Sequence, residues 1–159
     1  MDNRNILIAF DGSDSSFKAV EYAGAQFSGL ADMLITLFYV VPQVPPQFWD
    51  DGHILTPQEK QERQGVIDKW FENQKKVMEP SFEKARSILT DRFHFDAKQV
   101  EGKMRSDVTS VAEAILEETR SGKYRTLILG RRGGLTHLAG SLSTHILHKG
   151  AGLAVCLVE

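Results

Sequence analysis

The sequence predicts an α/β fold, an open sheet of five parallel strands with helices on both faces. Three observations carry this. The runs "NILIAF", "MLITLFYVV", "RTLILG" and "LAVCLV" are short and continuously apolar, as strands covered on both faces are. Between them lie stretches whose apolar residues recur at helical spacing. Strands that alternate with helices call for right-handed crossovers, which make a parallel sheet.

Taken in order, "NILIAF" ends in the turn-forming "DGSDSS". A helix follows from Ser16, with Phe17, Val20, Tyr22, Ala23, Ala25 and Phe27 on its core face and Ser13, Asp14 or Ser15 as its cap. "MLITLFYVV" is closed by "PQVPPQ", whose prolines cannot continue a central strand, and residues 44–57 read as a loop. Residues 58–79 form an amphipathic helix along Val66, Ile67, Trp70, Phe71, Gln74 and Val77, which Pro80 breaks or kinks. "SFEKARSIL" resumes the helical period to about Leu89, and "FHFDAKQVEGKM" alternates like an edge strand. "SVAEAILEETR" is a helix that opens on a Ser110/Glu113 capping box. After "RTLILG" come a short helix, "SLSTHILHKG", with Gly150 as its C-cap, and the last strand.

A chain of 159 residues, 42% hydrophobic and 25% charged, fits one domain over 1–159. The net charge of −2 offers nothing to a nucleic-acid backbone or an anionic membrane. Neither class of partner is expected. A single cysteine, Cys156, reads as a small buried hydrophobe and suits a reducing cytoplasm. "MDNRNILIAF" has neither the basic region nor the long apolar core of a signal peptide.

Ligands of parallel sheets bind beyond the strands' carboxyl ends. The tips that qualify are "FDGS", "YVVP" and "GRRG". Asp11, in the first, is either an acceptor for a ribose hydroxyl, an amine or metal-bound water, or a turn-forming residue before Gly12. "GRRGGLTHLAGS", residues 130–141, carries four glycines whose N–H groups can close on phosphate. Gly140, the Ser141 hydroxyl and the N–H groups of Ser141 and Leu142 form an anion site, or Ser141 and Ser143 simply cap the helix. Arg131 and Arg132 reach a phosphate or stay solvated. His137, His145 and His148 lack the carboxylate or cysteine company of a zinc site. The loop is neither Gly-x-Gly-x-x-Gly nor Gly-x4-Gly-Lys-Ser/Thr, and the chain has no Gly-x-Ser-x-Gly elbow.

Together "ILIAFDGSDSSFKAVEYA", "LITLFYVVP", "LILGRRG" and "GSLSTHIL" resemble the universal stress protein family over nearly the whole chain. The resemblance implies a Rossmann-like sheet of the adenine nucleotide alpha hydrolase-like type and a homodimer through the C-terminal strand. It also implies ATP, with or without magnesium, as ligand. The family's ATP-binding pattern, Gly-x2-Gly-x9-Gly-Ser/Thr, is met by Gly130, Gly133, Gly140 and Ser141, but the second interval is three residues short. Asp11 and Val40 correspond to the family's strand-one Asp and to the valine whose backbone meets adenine, and Ala9 stands two positions before Asp11 where a small residue is usual. The Gly-Asp-Pro that often follows strand three is replaced by "RSDV". The resemblance thus implies an ATP-binding stress-response protein with no dedicated catalysis. The alternatives are a dimeric module with an empty site and an ATP pyrophosphatase-type enzyme, whose loop "DGSDSS" faintly resembles. If nucleotide binds, residues 44–57, with Phe48 and Trp49, are expected to close over base or ribose.

Overall fold

The computed structural model describes residues 4–41, 54–106, 108–121, 123–131, 144–149 and 152–159. The apolar runs become β1 (Ile6–Ala9), β2 (Ile35–Val40), β4 (Thr126–Gly130) and β5 (Ala154–Val158), and the weaker run becomes β3 (Val100–Arg105). They form one sheet in the order β3-β2-β1-β4-β5. Every neighbouring pair is parallel. Strand order reverses at β1, so the switch point lies between β1 and β4.

Side chains of successive strand residues enter opposite layers. Ile6 and Ile8, with Ile35, Leu37 and Ile128, pack against α1 (Asp14–Phe27) and α2 (Pro57–Ser87). Leu7, Phe38, Val40, Leu127 and Leu129 pack against α3 (Val111–Arg120) and Ile146 of a short helix over residues 144–149. Helices therefore cover both faces, as the sequence predicts.

Ser13 caps α1, its Oγ accepting the Ser16 N–H at 3.2 Å. The buried stripe runs through Ser16, Ala19, Val20, Ala23 and Gly24. Tyr22 and Ala25, expected on the core face, are exposed because a helix of 3.6 residues per turn carries them past that stripe. At Gly24 the Phe93 ring takes the place of a side chain, for a Cβ there would lie 2.2 Å from it.

Residues 57–87 make one helix, and Pro80 does not break it. Its start is set by a Thr56/Glu59 capping box, so the expected loop to residue 57 ends earlier, while residues 44–53 lie outside the described residues. Met78 and Ala85 anchor the helix in the core on both sides of Pro80, and that anchorage offsets the missing backbone bond. α2 runs antiparallel to the strands. Tyr39 Oη, near the carboxyl end of β2, contacts Gln74 Oε1 at 3.4 Å, and Phe82 lies over Gly102 in the middle of β3. Residues 57–73 thus project beyond the carboxyl edge of the sheet, by roughly 25 Å at about 1.5 Å per residue. Val66 stays 47% exposed for this reason. Val77, on the outer face of the same helix, is 63% exposed.

A π turn (Ile88–Arg92) precedes "FHFDAKQ" and a 3-10 turn (Ala97–Gln99) closes it, so β3 begins at Val100, later than its alternation suggests. Below the sheet Thr36, fully buried, donates to Glu101 Oε1 at 2.9 Å and meets Tyr124 Oη at 3.2 Å. Tyr124 Oη also reaches Glu118 Oε1 at 3.1 Å, which accepts from Lys103 Nζ at 2.7 Å. Burial pushes the Tyr124 phenol up to about 12.

Ser110 caps α3 by accepting the Glu113 N–H, but the capping box is only half made. The Glu113 carboxylate instead meets His145 Nε2 at 2.6 Å and accepts from Lys149 Nζ at 3.0 Å, tying α3 to the last helix. These bonds, that of His145 first, lower its carboxyl from 4.5 to about 2. A depressed carboxyl adds stability above its unfolded value and loses it as pH falls toward its folded one. The stability gap between wild type and Glu113→Gln, followed by urea unfolding, should therefore narrow as pH drops from 4.5 toward 2. A pH-independent gap would show that the pair contributes nothing.

β4 and α1 approach each other backbone to backbone. A Cβ at Gly130 would stand 2.4 Å from Ser15 Oγ and 2.5 Å from the Ser15 carbonyl oxygen. Backbone must move to admit it. Gly130→Ala should cost about 1–3 kcal/mol in the same unfolding measurement.

Candidate functional site

β1, β2 and β4 end around a cleft at the switch point. Its walls include Ala9 and Asp11 from β1 and its turn, Tyr39 and Val40 from β2, and Leu129 and Gly130 from β4. Val111 and Ile115, one turn apart on α3, close the apolar side. Ser13, Ser15 and Ser16 of the α1 cap close the polar side.

Asp11 already works for the fold. Its Oδ1 accepts the Ser13 N–H at 2.9 Å and the Ser13 hydroxyl at 2.5 Å, which fixes the serine that caps α1. Gly12, at φ 79°, supplies the left-handed residue the turn needs. Oδ2 of Asp11 has no hydrogen-bond partner among the described residues. Both roles offered for Asp11 are thus open at once, turn former with one oxygen and acceptor with the other. Burial raises the Tyr39 phenol, and the negative charge of Asp11 raises it further.

Across Gly130 and Ser15 lies a second, polar hollow lined by Asp14, Ser15, Lys18, Arg131 and Glu159. Arg131 is paired there with Glu159, and its N–H donates to the Val158 carbonyl at 2.8 Å. Among the described residues no group of three or more His, Cys, Asp or Glu could hold a metal ion. No described helix is long and apolar enough to cross a membrane.

Of the expected site residues, Ala9, Asp11, Val40 and Gly130 meet in the cleft, and Arg131 lies in the hollow beside it. Arg132, Gly133, Gly140, Ser141, Leu142 and Ser143 lie outside the described residues, as do His137 and Gly150. Sequence reasoning missed Tyr39, Val111 and Ile115. The last two carried a signal in their i, i+4 spacing at the start of the helix after β3.

Comparison with known proteins agrees with this architecture. Residues 2–151 match the model of the universal stress protein family. No curated protein matches. Among solved structures, universal stress protein UspA from Lactobacillus plantarum is 18% identical, with a TM-score of 0.61 over 100% of this chain and 99% of its own. A universal stress protein from Archaeoglobus fulgidus in complex with dAMP is 14% identical, with a TM-score of 0.60 over 100% of both chains. One from Arabidopsis thaliana with AMP bound is 15% identical, with a TM-score of 0.55 over 98% of this chain and 90% of its own. Parallel sheet, strand order and family match together make the chain a member of the universal stress protein family.

Proposed function

We propose that this protein binds an adenine nucleotide in the cleft at the carboxyl ends of β1, β2 and β4 and acts as a cytoplasmic stress-response or signalling protein. One observation carries the reading. At the switch point an apolar slot of Val40, Val111, Ile115 and Leu129 adjoins a carboxylate oxygen of Asp11 with no hydrogen-bond partner among the described residues and a strand end without a side chain, Gly130. The slot suits a base, and the carboxylate suits a ribose hydroxyl. Relatives of the same fold that carry AMP or dAMP support the choice of ligand. Bound phosphates would fall to Gly130, Gly133, Gly140, Ser141, Leu142 and Ser143, with Arg131 and Arg132 beside them, and ATP is the ligand proposed for the complete loop. Magnesium would reach the site with the nucleotide, since no described cluster offers it ligands.

Asp11→Asn keeps an Oδ1 for the two Ser13 bonds while removing the charge. In calorimetric titration it should weaken adenosine and ATP alike. Gly140→Asp should abolish ATP binding and spare adenosine, because it sets a carboxylate where backbone must approach a polyanion. Ser141→Ala should weaken ATP about 10- to 100-fold, the loss of a hydrogen bond to a charged group, roughly 1.5–3 kcal/mol. Wild type that retains neither ATP nor AMP at low salt with magnesium would overturn the reading. The shortened loop would then mark an empty-site module.

The same proposal includes a single domain over 1–159 and a homodimer through β5. That strand is an edge with no charged residue from Ala154 to Val158, and its Leu157 is 45% exposed. Such an edge invites pairing. Light scattering should show self-association that Leu157→Glu weakens, and a monomeric wild type would remove this contact.

A further inference from the structure

The opposite edge of the sheet is built differently. Among the described residues β3 pairs with β2 alone. Arg105 turns its carbonyl to Val41, whose N–H it accepts at 2.8 Å, so Glu101 and Lys103 also direct their backbone groups inward. Gly102 and Met104 therefore present N–H and C=O to the open side. Glu101, Gly102 and Lys103 are exposed at the middle of the strand.

The strand, VEGKMR, is complementary to itself when it runs antiparallel about Gly102. Gly102 then meets Gly102, Glu101 meets Lys103, and Val100 meets Met104. Register parity also holds. Outward-facing residues meet outward-facing residues, so the two Gly102 residues form a hydrogen-bonded pair that exchanges both bonds. Glu101 accepts from Thr36 and Lys103 donates to Glu118 within the chain. A carboxylate with two oxygens and an ammonium with three donors keep capacity for a second partner.

α2 repeats the pattern above the same point. The groove between α2 and β3 is lined by Lys75, Glu79, Phe82 and Arg86, with Gly102 and Met104 beneath. A Cβ at Gly102 would lie 3.4 Å from the Phe82 ring, so a two-fold axis through Gly102 passes beside Phe82. Running α2 antiparallel about that axis brings Phe82 to Phe82 and Glu79 to Arg86. Arg86 can take such a partner. Its Nη1 donates to Glu83 at 3.1 Å, and its side chain stays 37% exposed. A guanidinium carries five N–H donors, more than one carboxylate uses.

We propose that the β3 edge, with the face of α2 above it, docks a second copy of this chain about a two-fold axis at Gly102. The sheet continues across the axis, and Glu79 of each copy pairs with the exposed part of the Arg86 guanidinium of the other. Alternating charge on an edge repels strands of other sequence but matches its own, which makes the contact specific. It is separate from the proposed β5 contact and lies on the other edge. A chain that uses both edges assembles beyond a dimer.

Sedimentation velocity tests this in the Leu157→Glu background, where β5 pairing is blocked. A concentration-dependent monomer–dimer equilibrium is expected. Gly102→Pro removes an outward N–H at an edge, where proline is tolerated, and should abolish the dimer. Glu79→Lys should weaken it at least about tenfold by opposing two cations across the axis, and adding Arg86→Glu to that variant should restore it. Circular dichroism checks that Gly102→Pro is folded, and exposed Glu79 keeps the test decisive if it is not. A Leu157→Glu protein that stays monomeric at every concentration overturns the proposal, as does a dimer indifferent to both Gly102→Pro and Glu79→Lys. If β5 does not pair, wild type and Leu157→Glu behave alike and only the β3 step is seen, so the two contacts fail separately.

Discussion

The site depends on the contact of Gly130 with Ser15, where the end of β4 presses backbone against the first turn of α1. A side chain there would push the turn away from the sheet. With glycine, the carboxyl ends of β1 and β4 and the capped start of α1 converge on one point. Strand order reverses at the same point, and helices that cover opposite faces leave a crevice between the two strands. Gly130 thus has a reason to be glycine before any phosphate is considered.

Polar groups around the crevice serve structure and ligand chemistry together. Asp11 positions Ser13, Ser13 caps α1, and Ser16 returns its hydroxyl to the Ser13 carbonyl at 2.8 Å. This leaves the turn rigid and one carboxylate oxygen directed elsewhere. A pre-formed acceptor loses little entropy when it meets a ligand hydroxyl. Arg131, by contrast, already has Glu159 as a partner, so an anion would share the guanidinium with that carboxylate.

An open parallel sheet has two edges, and this chain treats them differently. β5 is short and uncharged, whereas β3 alternates Glu101 and Lys103 around a glycine and ties both into the buried Thr36 and Tyr124 network. The long helix α2 lies over the β3 side and runs on past the sheet. Its outer turns are therefore stabilised by capping and by pairs such as Gln64 with Asp68, 2.9 Å apart, rather than by burial in the sheet's core.

The sequence by itself determined the elements and their kind. Apolar runs too continuous for a half-exposed sheet specified covered parallel strands, the stretch Ser13 to Ser15 and Ser110 marked helix starts, and the quoted motifs carried the family. These signals are local, set by periodicity and capping within a turn or two. Tertiary structure decided what each signal faces. Helical spacing aligned Val66 with Trp70 but could not tell that this length of α2 has no sheet beside it, and Pro80 looked like a break because anchorage by Met78 and Ala85 cannot be read from its neighbours. Glu113 satisfied the spacing of a capping box, yet His145 and Lys149, remote in the chain, claimed its carboxylate. Strand order, the sharing of Asp11 between turn and cleft, and the matching of Gly102 with Phe82 rest on contacts between distant residues. No pattern along the chain encodes them, because each arises only when two elements, each complete on its own, are brought to one place.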